Sequence, residues 1–285
     1  MFERGSDKIQ HTMSVGILSP QTRGLPLKEG VPTMVFFSGF PDVFNSFDEV
    51  SRDFVDTHHI IVCVMPDYEK KKLTKFLGHS FNAIVDDLLR VLKPVHLLGG
   101  GITLVAHDWG SYICQRFTQA HPDMVQKFVV LDVGYGAPKL GSMPIILGYQ
   151  ILLAFCFILS RIPFLGSALA MLCVALYPWK WIGPTPHEYN MPTKPKDLKM
   201  FMTYPYFWML ITIWWDKKAA PRFPKTVSTM FVYGTRKRVQ FFSQRWLDKL
   251  DKLDECEHHA LDCGHWIQTQ KPKELVALIK NFVKS

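Results

Sequence analysis

Apolar runs alternate with amphipathic stretches along the first 138 residues and again from residue 226 onward. Short continuous apolar runs that stop at Gly or Pro are typical of buried strands. They predict strands at 33–41, 59–67, 102–110, 127–134 and 226–234, and the alternation of elements adds a short strand at 257–264. Segments with apolar residues every three or four positions predict helices. These lie at 81–93, 111–122, 241–253 and 272–285.

Alternating strands and helices favour an α/β fold, with a mostly parallel sheet flanked by helices on both faces. The pattern changes between 139 and 221, which is rich in Leu, Ile, Phe, Trp, Tyr and Pro and lacks strand alternation. We therefore predict a core domain formed by 1–138 and 222–285, with 139–221 inserted as a helical cap or lid. Open α/β sheets bind ligands at the carboxyl ends of their strands, and we expect the cap to cover that site.

Two segments of the predicted cap, 144–160 and 162–179, are each about as long as a short membrane span. The simplest interpretation is a pair of soluble cap helices that line an apolar tunnel. A cap that rests on a membrane surface, assisted by basic clusters, is a second interpretation. A true membrane hairpin is the third, but it would carry Tyr149 and Gln150 away from the predicted nucleophile.

Composition narrows the function classes. The chain has 285 residues, is 48% hydrophobic and carries a formal net charge of +8, as a globular protein with a basic surface would. No nucleic-acid-binding motif accompanies the charge, so we expect no nucleic acid partner. The six cysteines show no metal-ligand spacing, and residues 1–15 lack the apolar core of a secretory signal. We expect a cytoplasmic protein, with membrane association and oligomeric state left open, and no metal or cofactor.

The candidate nucleophile lies in the segment Ala106-His107-Asp108-Trp109-Gly110, where a predicted strand runs into a predicted helix. The frame small-x-nucleophile-x-small is typical of the sharp turn that carries the nucleophile of α/β-hydrolases. Small residues flank the nucleophile because the backbone of this turn is strained and other chain segments pass close to it. Ser111 lies outside the frame. The pattern therefore predicts Asp108 as the nucleophile.

A carboxylate nucleophile forms an ester with an alkyl carbon, so its substrate must offer an electrophilic sp³ carbon such as that of an epoxide or a carbon–halogen bond. A base must then activate water to hydrolyse the ester, and histidine suits this near neutral pH. The chain order of this fold is nucleophile, acid, histidine. His265, in a glycine-containing loop after the last predicted strand, is the predicted base.

The segments SGFPD, AHDWGS and DCGHW together resemble the epoxide hydrolase branch of the α/β-hydrolase superfamily. The similarity covers about 30–138 and 226–285. It implies an α/β-hydrolase fold with a helical cap, and the opening of lipophilic epoxides to diols. It also implies that the backbone N–H groups of Phe40 and Trp109 form an oxyanion hole. Ser38 occupies a position where the family usually has a histidine that is not the catalytic one.

The resemblance further implies two cap tyrosines that hold and protonate the epoxide oxygen, because an alkoxide is a poor leaving group. The segment GYQILLAF resembles an early cap segment of the family and indicates Tyr149. The second tyrosine is either Tyr204 or Tyr206 in TYPYFW, with Tyr206 slightly favoured by the surrounding aromatic pattern.

The chain departs from the family at the third catalytic position. Epoxide hydrolases commonly place an acid just after the strand that corresponds to MFVYG, where this chain has Lys237. Some relatives with an aspartate nucleophile, including haloalkane and fluoroacetate dehalogenases, place the acid after the strand that follows the elbow helix. Asp132 ends that strand here, and we predict that it orients His265.

Three functions remain open from the sequence. The first is an epoxide hydrolase acting on small lipophilic epoxides. The second is a haloalkane or haloacid dehalogenase, favoured by the position of Asp132 and by the indole N–H of Trp109; against it, haloalkane dehalogenases tend to have Asn at position 40. The third is a catalytically degenerate homologue that binds a lipid or a partner, favoured by Lys237 in place of the usual acid.

Overall fold

A sheet of eight strands forms the centre of the computed structural model, which describes residues 11–12, 16–177, 198–215 and 220–284. Its order is β1-β2-β4-β3-β5-β6-β7-β8; β2 pairs antiparallel with both β1 and β4, and the strands β3 to β8 pair in parallel. The prediction of a mostly parallel sheet is confirmed. The strands are β1 His11–Thr12, β2 Gln21–Gly24, β3 Thr33–Phe37, β4 His59–Cys63, β5 Ile102–His107, β6 Lys127–Leu131, β7 Ser228–Gly234 and β8 Cys256–Leu261.

Nine α-helices lie in the described ranges and account for the remaining regular structure together with short 3₁₀ turns. They are α1 Asp48–Ser51, α2 Phe81–Leu97, α3 Trp109–Ala120, α4 Met143–Leu159, α5 Gly166–Leu176, α6 Tyr204–Trp215, α7 Gln244–Leu250, α8 Ile267–Gln270 and α9 Pro272–Lys284. The helix α2 starts at an N-cap serine, Ser80, whose side chain accepts a hydrogen bond from the Ala83 amide.

The central strands are buried on both faces, and the alternation of their side chains divides the core into two layers. Val35 and Phe37 of β3 pack in the layer that contains the buried faces of α2 and α3. Met34 and Phe36, one position out of phase, pack in the opposite layer with α9. Because these strands are buried on both faces, their sequences are continuously apolar and do not alternate with polar residues. This explains why the sequence predicts them clearly.

The parallel register brings several strand ends to one edge of the sheet. Phe37 pairs with Ala106, His107 with Leu131, Leu131 with Val232, and Gly234 with Leu261. The loops that follow β3, β5, β6, β7 and β8 therefore leave the sheet side by side. The predicted core catalytic residues lie in these loops: Asp108 and Asp132 come directly after β5 and β6, and His265 lies in the loop after β8.

The chain between β6 and β7, which we call the helical insertion, contributes α4, α5 and α6. The helix α4 packs on both α5 and α6. The two apolar segments predicted as cap helices correspond to α4 and α5, and positions 178–179 lie outside the described residues. So do the lysine pair at 217–218 and the sequence up to residue 10.

One helical stretch, Leu140–Leu159, is long and apolar enough to cross a membrane by length and composition alone. A third of it is buried inside the protein. This is weak evidence for a span, because buried core helices of soluble proteins pass the same test.

Candidate active site

Asp108 lies on a strained turn between β5 and α3. Its φ of 54° and ψ of −125° are unusual for a residue with a side chain. Two glycines make room for the turn. A Cβ on Gly110 would come within 2.2 Å of the Phe37 carbonyl oxygen, and one on Gly39 within 2.3 Å of Asp108 Oδ1. The turn presents the Asp108 carboxylate to a cavity beyond the edge of the sheet.

Ser111 does not reach this cavity. Its side chain is fully buried in the first turn of α3, and its hydroxyl donates to the Ala106 carbonyl at 2.6 Å. The structure therefore places Asp108, and not Ser111, at the site.

His265 faces Asp108 from the loop after β8. The imidazole Nε2 lies 3.3 Å from Asp108 Oδ2, and the histidine is almost fully buried. Gly234, the last residue of β7, lets this loop approach, because a Cβ there would lie 2.0 Å from the Gly264 carbonyl oxygen.

Asp132 contacts the other nitrogen of the His265 ring. It follows β6 with a φ of 67° and has no exposed surface. Its Oδ2 forms a short hydrogen bond with His265 Nδ1, and its Oδ1 accepts the Gly234 amide at 3.1 Å. The three core residues singled out in the sequence thus come together in the order Asp108, His265, Asp132.

Lys237 is a fourth charged residue of the site, besides Asp108, His265 and Asp132, and the sequence did not predict it there. Its side chain is fully buried, its Nζ lies 2.5 Å from the Asp132 carboxylate, and it lies 5.1 Å from the centre of the Phe241 ring. The sequence alone indicates only that Lys237 stands where the family usually has the acid. In the structure, the lysine at the family's usual acid position binds the acid at the other position.

A second buried network fixes the histidine loop. Asp42 accepts hydrogen bonds from Trp266 Nε1 at 2.9 Å and from Gln268 Nε2 at 3.3 Å. His107 Nε2 lies 2.9 Å from the His265 carbonyl oxygen and must donate to it, since a carbonyl only accepts. The other nitrogen, His107 Nδ1, lies 3.3 Å from Asp42. This network joins all three sequence motifs, and sequence reasoning overlooked Asp42, His107 and Trp266 although they stand inside those motifs.

The predicted oxyanion-hole residues lie beside the nucleophile. The Phe40 amide donates to Asp108 Oδ1 at 2.8 Å. Trp109 is the first residue of α3, and amides in the first turn of a helix lack partners within that helix.

Two tyrosines from the helical insertion line the same cavity as Asp108. Tyr149 of α4 and Tyr206 of α6 line it, with ring centres 6.0 Å apart. Tyr206 also packs edge-on against Phe40 and Trp109, with ring centres 5.4 Å and 5.1 Å away. Burial raises the pKa of both phenols well above its ordinary value, and the negative charge of Asp108 raises it further. Both hydroxyls therefore carry their protons at neutral pH.

Tyr204 is the sequence candidate that the structure does not bring to the site. It is fully buried behind the cavity, where its hydroxyl donates to the Pro66 carbonyl at 3.3 Å and its ring packs against Tyr68 and His79. Tyr204 and Tyr206 are two positions apart in α6, and at 3.6 residues per turn this separation places their side chains on different sides of the helix. The sequence left open which of the two tyrosines lies at the site. In the structure Tyr206 lines the cavity and Tyr204 does not.

The cavity has a volume of about 330 Å³ and a mostly apolar wall. Leu153, Val174 and Met209 from the helical insertion form one side of it, and Trp109 and Phe241 from the core lie on the other. Among the described residues, no group of three or more His, Cys, Asp and Glu is arranged to hold a metal ion.

The charges of the site are strongly coupled. Burial raises the pKa of Asp108, but the hydrogen bond and charge of His265 outweigh it and hold the pKa below its ordinary value. Burial likewise raises the pKa of Asp132, but the charges of Lys237 and His265 lower it to about 2. Burial lowers the pKa of His265, but Asp132 and Asp108 together raise it to about 9. The resting site therefore holds a protonated His265 between two carboxylates at neutral pH.

A family model described as the alpha/beta hydrolase family matches residues 34–278. The chain belongs to the alpha/beta hydrolase family. Solved structures similar to this family member include a laboratory evolved variant of potato epoxide hydrolase, with a TM-score of 0.65, 18% identity, and coverage of 96% of this chain and 98% of that one. A putative epoxide hydrolase from Klebsiella pneumoniae has a TM-score of 0.69 at 15% identity, with 96% of each chain covered. At these identities the likeness concerns the fold, and the expected resemblance to epoxide hydrolases is confirmed at that level.

Curated relatives are similar at low identity. Epoxide hydrolase 1 of Caenorhabditis elegans is 29% identical over 114 residues, which are 39% of this chain and only 26% of the relative. A cis-3-alkyl-4-alkyloxetan-2-one decarboxylase of Shewanella oneidensis is 24% identical over 254 residues, with 80% of this chain and 74% of the relative covered.

Proposed function

We propose that the protein is an epoxide hydrolase-like enzyme that opens lipophilic epoxides to diols through an ester on Asp108. One observation carries the proposal: Asp108 and the two protonated tyrosines, Tyr149 and Tyr206, line the same apolar cavity. A nucleophile on one side and two acids on the other are what ring opening of an epoxide needs. The helical insertion then acts as a lid that keeps bulk water from the ester.

In the first step, an Asp108 oxygen attacks an epoxide carbon and the carbon–oxygen bond of the ring breaks. One tyrosine donates its proton to the leaving oxygen, so that a hydroxyl and not an alkoxide forms. The resulting tyrosinate regains a proton from protonated His265. At the end of this step the enzyme carries a β-hydroxyalkyl ester, neutral tyrosines and a neutral imidazole.

Ester formation itself prepares the histidine for the second step. The charge of Asp108 disappears when the ester forms, and that charge helps to raise the pKa of His265 in the resting site. The pKa of His265 therefore falls in the ester, where a base is needed. Asp132 keeps the Nε2 side of the ring toward Asp108 by accepting from Nδ1.

Water then attacks the carbonyl carbon of the ester while His265 takes one of its protons. The oxyanion that develops receives hydrogen bonds from the amides of Phe40 and Trp109. When the carbon–oxygen bond to the substrate breaks, the diol leaves with the remaining proton of the water. Asp108 and protonated His265 are restored, so that one epoxide and one water yield one diol.

A second candidate substrate is a four-membered lactone, an oxetan-2-one. The long alignment with the Shewanella decarboxylase supports it. A haloalkane substrate is supported less, because Phe40 offers no side-chain N–H to a departing halide. A degenerate binding protein is disfavoured by the contact between His265 and Asp108 at 3.3 Å.

A substrate panel tests the proposal. The protein is incubated with long-chain and aryl epoxides, haloalkanes and dialkyl oxetan-2-ones, and diol, halide and carbon dioxide are measured separately, with Asp108→Ala as the matched control. We expect diol from the epoxides with the parental protein and none with the variant. Halide or carbon dioxide without diol would replace the proposal by one of the alternatives, and no turnover of any substrate would favour the degenerate homologue.

A further inference from the structure

The outer side of α4 is apolar although it faces away from the protein. Leu147, Ile151, Phe155 and Ile158 are exposed and follow one another at intervals of four, four and three residues, which places them in a single stripe. The opposite side of the same helix carries Tyr149 and other cavity-lining residues. The helix is therefore apolar on both sides, and only one of them has a partner within the described residues.

The stripe continues over the turn after α4 and onto α5. Phe164 in this turn is fully exposed, and Ile162 and Leu165 beside it are at least half exposed. On α5, Leu169, Leu172 and Leu176 repeat the exposed spacing. We call the exposed side chains of α4, the turn and α5 the apolar face. Monomeric soluble proteins rarely expose so many neighbouring large apolar side chains without using them.

A basic loop borders the apolar face. Lys70, Lys71, Lys72 and Lys75 are all exposed, and the exposed aromatic Phe76 follows them. We call 70–77 the basic loop.

Three contacts attach the basic loop to the helical insertion. Arg161, in the turn between α4 and α5, lies 5.6 Å above the Phe76 ring. Trp208 Nε1 donates to the Leu77 carbonyl at 2.8 Å, and Lys199 Nζ donates to the Lys70 carbonyl at 2.9 Å.

The charge of this region has one sign. From 133 to 177 the sequence contains no Asp or Glu, and Lys139 and Arg161 are its only charged residues. The neighbouring carboxylates outside that stretch have partners: Asp67 contacts Lys70 at 2.9 Å, and Glu69 accepts the Phe44 amide at 3.2 Å. An apolar surface edged by cations therefore faces outward.

We propose that the apolar face and the basic loop dock the protein on the surface of an anionic lipid bilayer, with Phe164 and its neighbours inserted among the lipids. Apolar side chains buried at the level of the headgroups and lysines paired with anionic lipids are the two contributions that hold peripheral proteins on membranes. A two-fold dimer through this face would instead bring two lysine-rich borders toward each other. A spanning α4 would remove Tyr149 from the cavity.

The inference rests on the proposed function in one respect, the lipophilic substrate. The cavity wall includes Leu153 of α4 and Val174 of α5, whose helices carry the apolar face on their outer sides. A docked protein would therefore have only the thickness of these two helices between its cavity and the bilayer. Lipophilic epoxides dissolved in the membrane would reach the site without crossing bulk water.

Vesicle sedimentation tests the docking without any use of activity. The protein is mixed with phosphatidylcholine vesicles and with vesicles in which a third of the lipid is phosphatidylserine, and the bound fraction is measured at low and high salt. Each lysine near an anionic surface contributes about fivefold to the affinity, so Lys71→Gln/Lys72→Gln is expected to weaken binding about 25-fold. Phe164→Asp is expected to weaken it at least about tenfold, from the loss of a buried aromatic side chain. Both variants change exposed side chains and should fold normally.

Matched controls lie at other surfaces of the protein. Leu97→Asp changes an exposed apolar residue at the end of α2, and Lys249→Gln/Lys252→Gln changes two exposed lysines in and after α7. Neither control should alter vesicle binding.

Several outcomes would overturn the proposal: no binding to anionic vesicles, equal loss in the controls, or a stable dimer that Phe164→Asp dissociates. Protein expressed in cells that stays in membranes after an alkaline carbonate wash would indicate a span. Vesicle binding by the parental protein, together with an absence of diol when the same parental protein is given every epoxide, would retain the docking and remove the proposed function.

Discussion

The buried pair of Lys237 and Asp132 is expected to set the pH at which His265 works as a base. Lys237 Nζ and His265 Nδ1 contact the same carboxylate oxygen, so they lie within about 5 Å of each other, twice the length of a short charge-assisted hydrogen bond. At that distance and an effective dielectric constant of about 20, two positive charges repel by about 3 kcal/mol. Since one pKa unit corresponds to about 1.4 kcal/mol, Lys237→Met should raise the pKa of His265 by about 2 units.

The sign of the effect on rate follows from the chemistry. Hydrolysis of the ester needs a neutral imidazole, and removal of a neighbouring cation makes the protonated form more stable. The pH midpoint for ester hydrolysis should therefore move to higher pH by about 2 units, and the rate at neutral pH should fall. Rapid-quench measurement of ester decay across the neutral and alkaline range gives this midpoint directly. Lys237→Arg keeps the charge and should restore most of the parental profile.

Stability supplies a second readout for the pair. Removing one partner of a buried ion pair costs about 3–5 kcal/mol because the other charge stays buried. The Lys237→Met protein should therefore have a substantially lower free energy of unfolding than the parental protein. The double variant Lys237→Met/Asp132→Asn should recover much of this lost stability. If a folded Lys237→Met protein, or Lys237→Gln in its place, kept the parental pH midpoint, the reasoning about Lys237 would be refuted.

Three further predictions follow from the same geometry. Asp132→Asn should still form the ester but hydrolyse it up to about 10⁴-fold more slowly, by analogy with the triad of serine proteases, seen as a burst followed by a stalled steady state; turnover near the parental rate would place the acid elsewhere. Tyr206→Phe should slow ring opening at least about 100-fold as a lost general acid, whereas Tyr204→Phe, matched in chemistry and two residues away, should change only stability; equal kinetic loss in both would contradict the assignment. The pKa of His265 is raised from 6.5 to about 9, so its contribution to stability is fully present below pH 6.5 and is lost as the pH rises through 9. Unfolding by urea should therefore cost about 3 kcal/mol less at high pH, and His265→Gln should lack this dependence.

The sequence predicted the elements that have a strong apolar period. The strands β3 to β7 were found because two-sided burial makes them continuously apolar. The helices α2, α3, α7 and α9 were found because one-sided burial makes core helices amphipathic. The helices α4 and α5 were found from their apolar length, and β8 from its place in the strand–helix alternation. Their ends were less well predicted. The strand predicted at 33–41 stops at Phe37, and that at 102–110 stops at His107, because the chain turns there to form the site.

The short elements were missed for a physical reason. The strands β1 and β2 and the helices α1 and α8 have two to four residues each. Segments of that length show neither a period of two nor one of 3.6, and tertiary contacts alone decide their conformation.

The residues of the candidate site also differ in how well the sequence predicts them. Asp108 and His265 stand in motifs with a fixed frame, and Asp132 follows from the end of a predicted strand. Lys237 has no such signal, and the contacts of Asp42 do not follow from its motif, since both roles depend on which loops meet beyond the sheet. The register of the parallel strands determines those meetings, and local sequence patterns do not contain it. The same holds for Tyr204 and Tyr206, which only the rotation of α6 separates.

The central claim is that Asp108 forms a covalent ester with the substrate. In His265→Gln the base is absent while the nucleophile remains, so the ester should accumulate when the protein is incubated with a reactive lipophilic epoxide. Mass spectrometry of the digested protein should find one peptide heavier by the mass of the epoxide, with fragmentation that places the addition on Asp108. An adduct on Ser111, or an Asp108→Ala protein that still produces diol, would contradict the account.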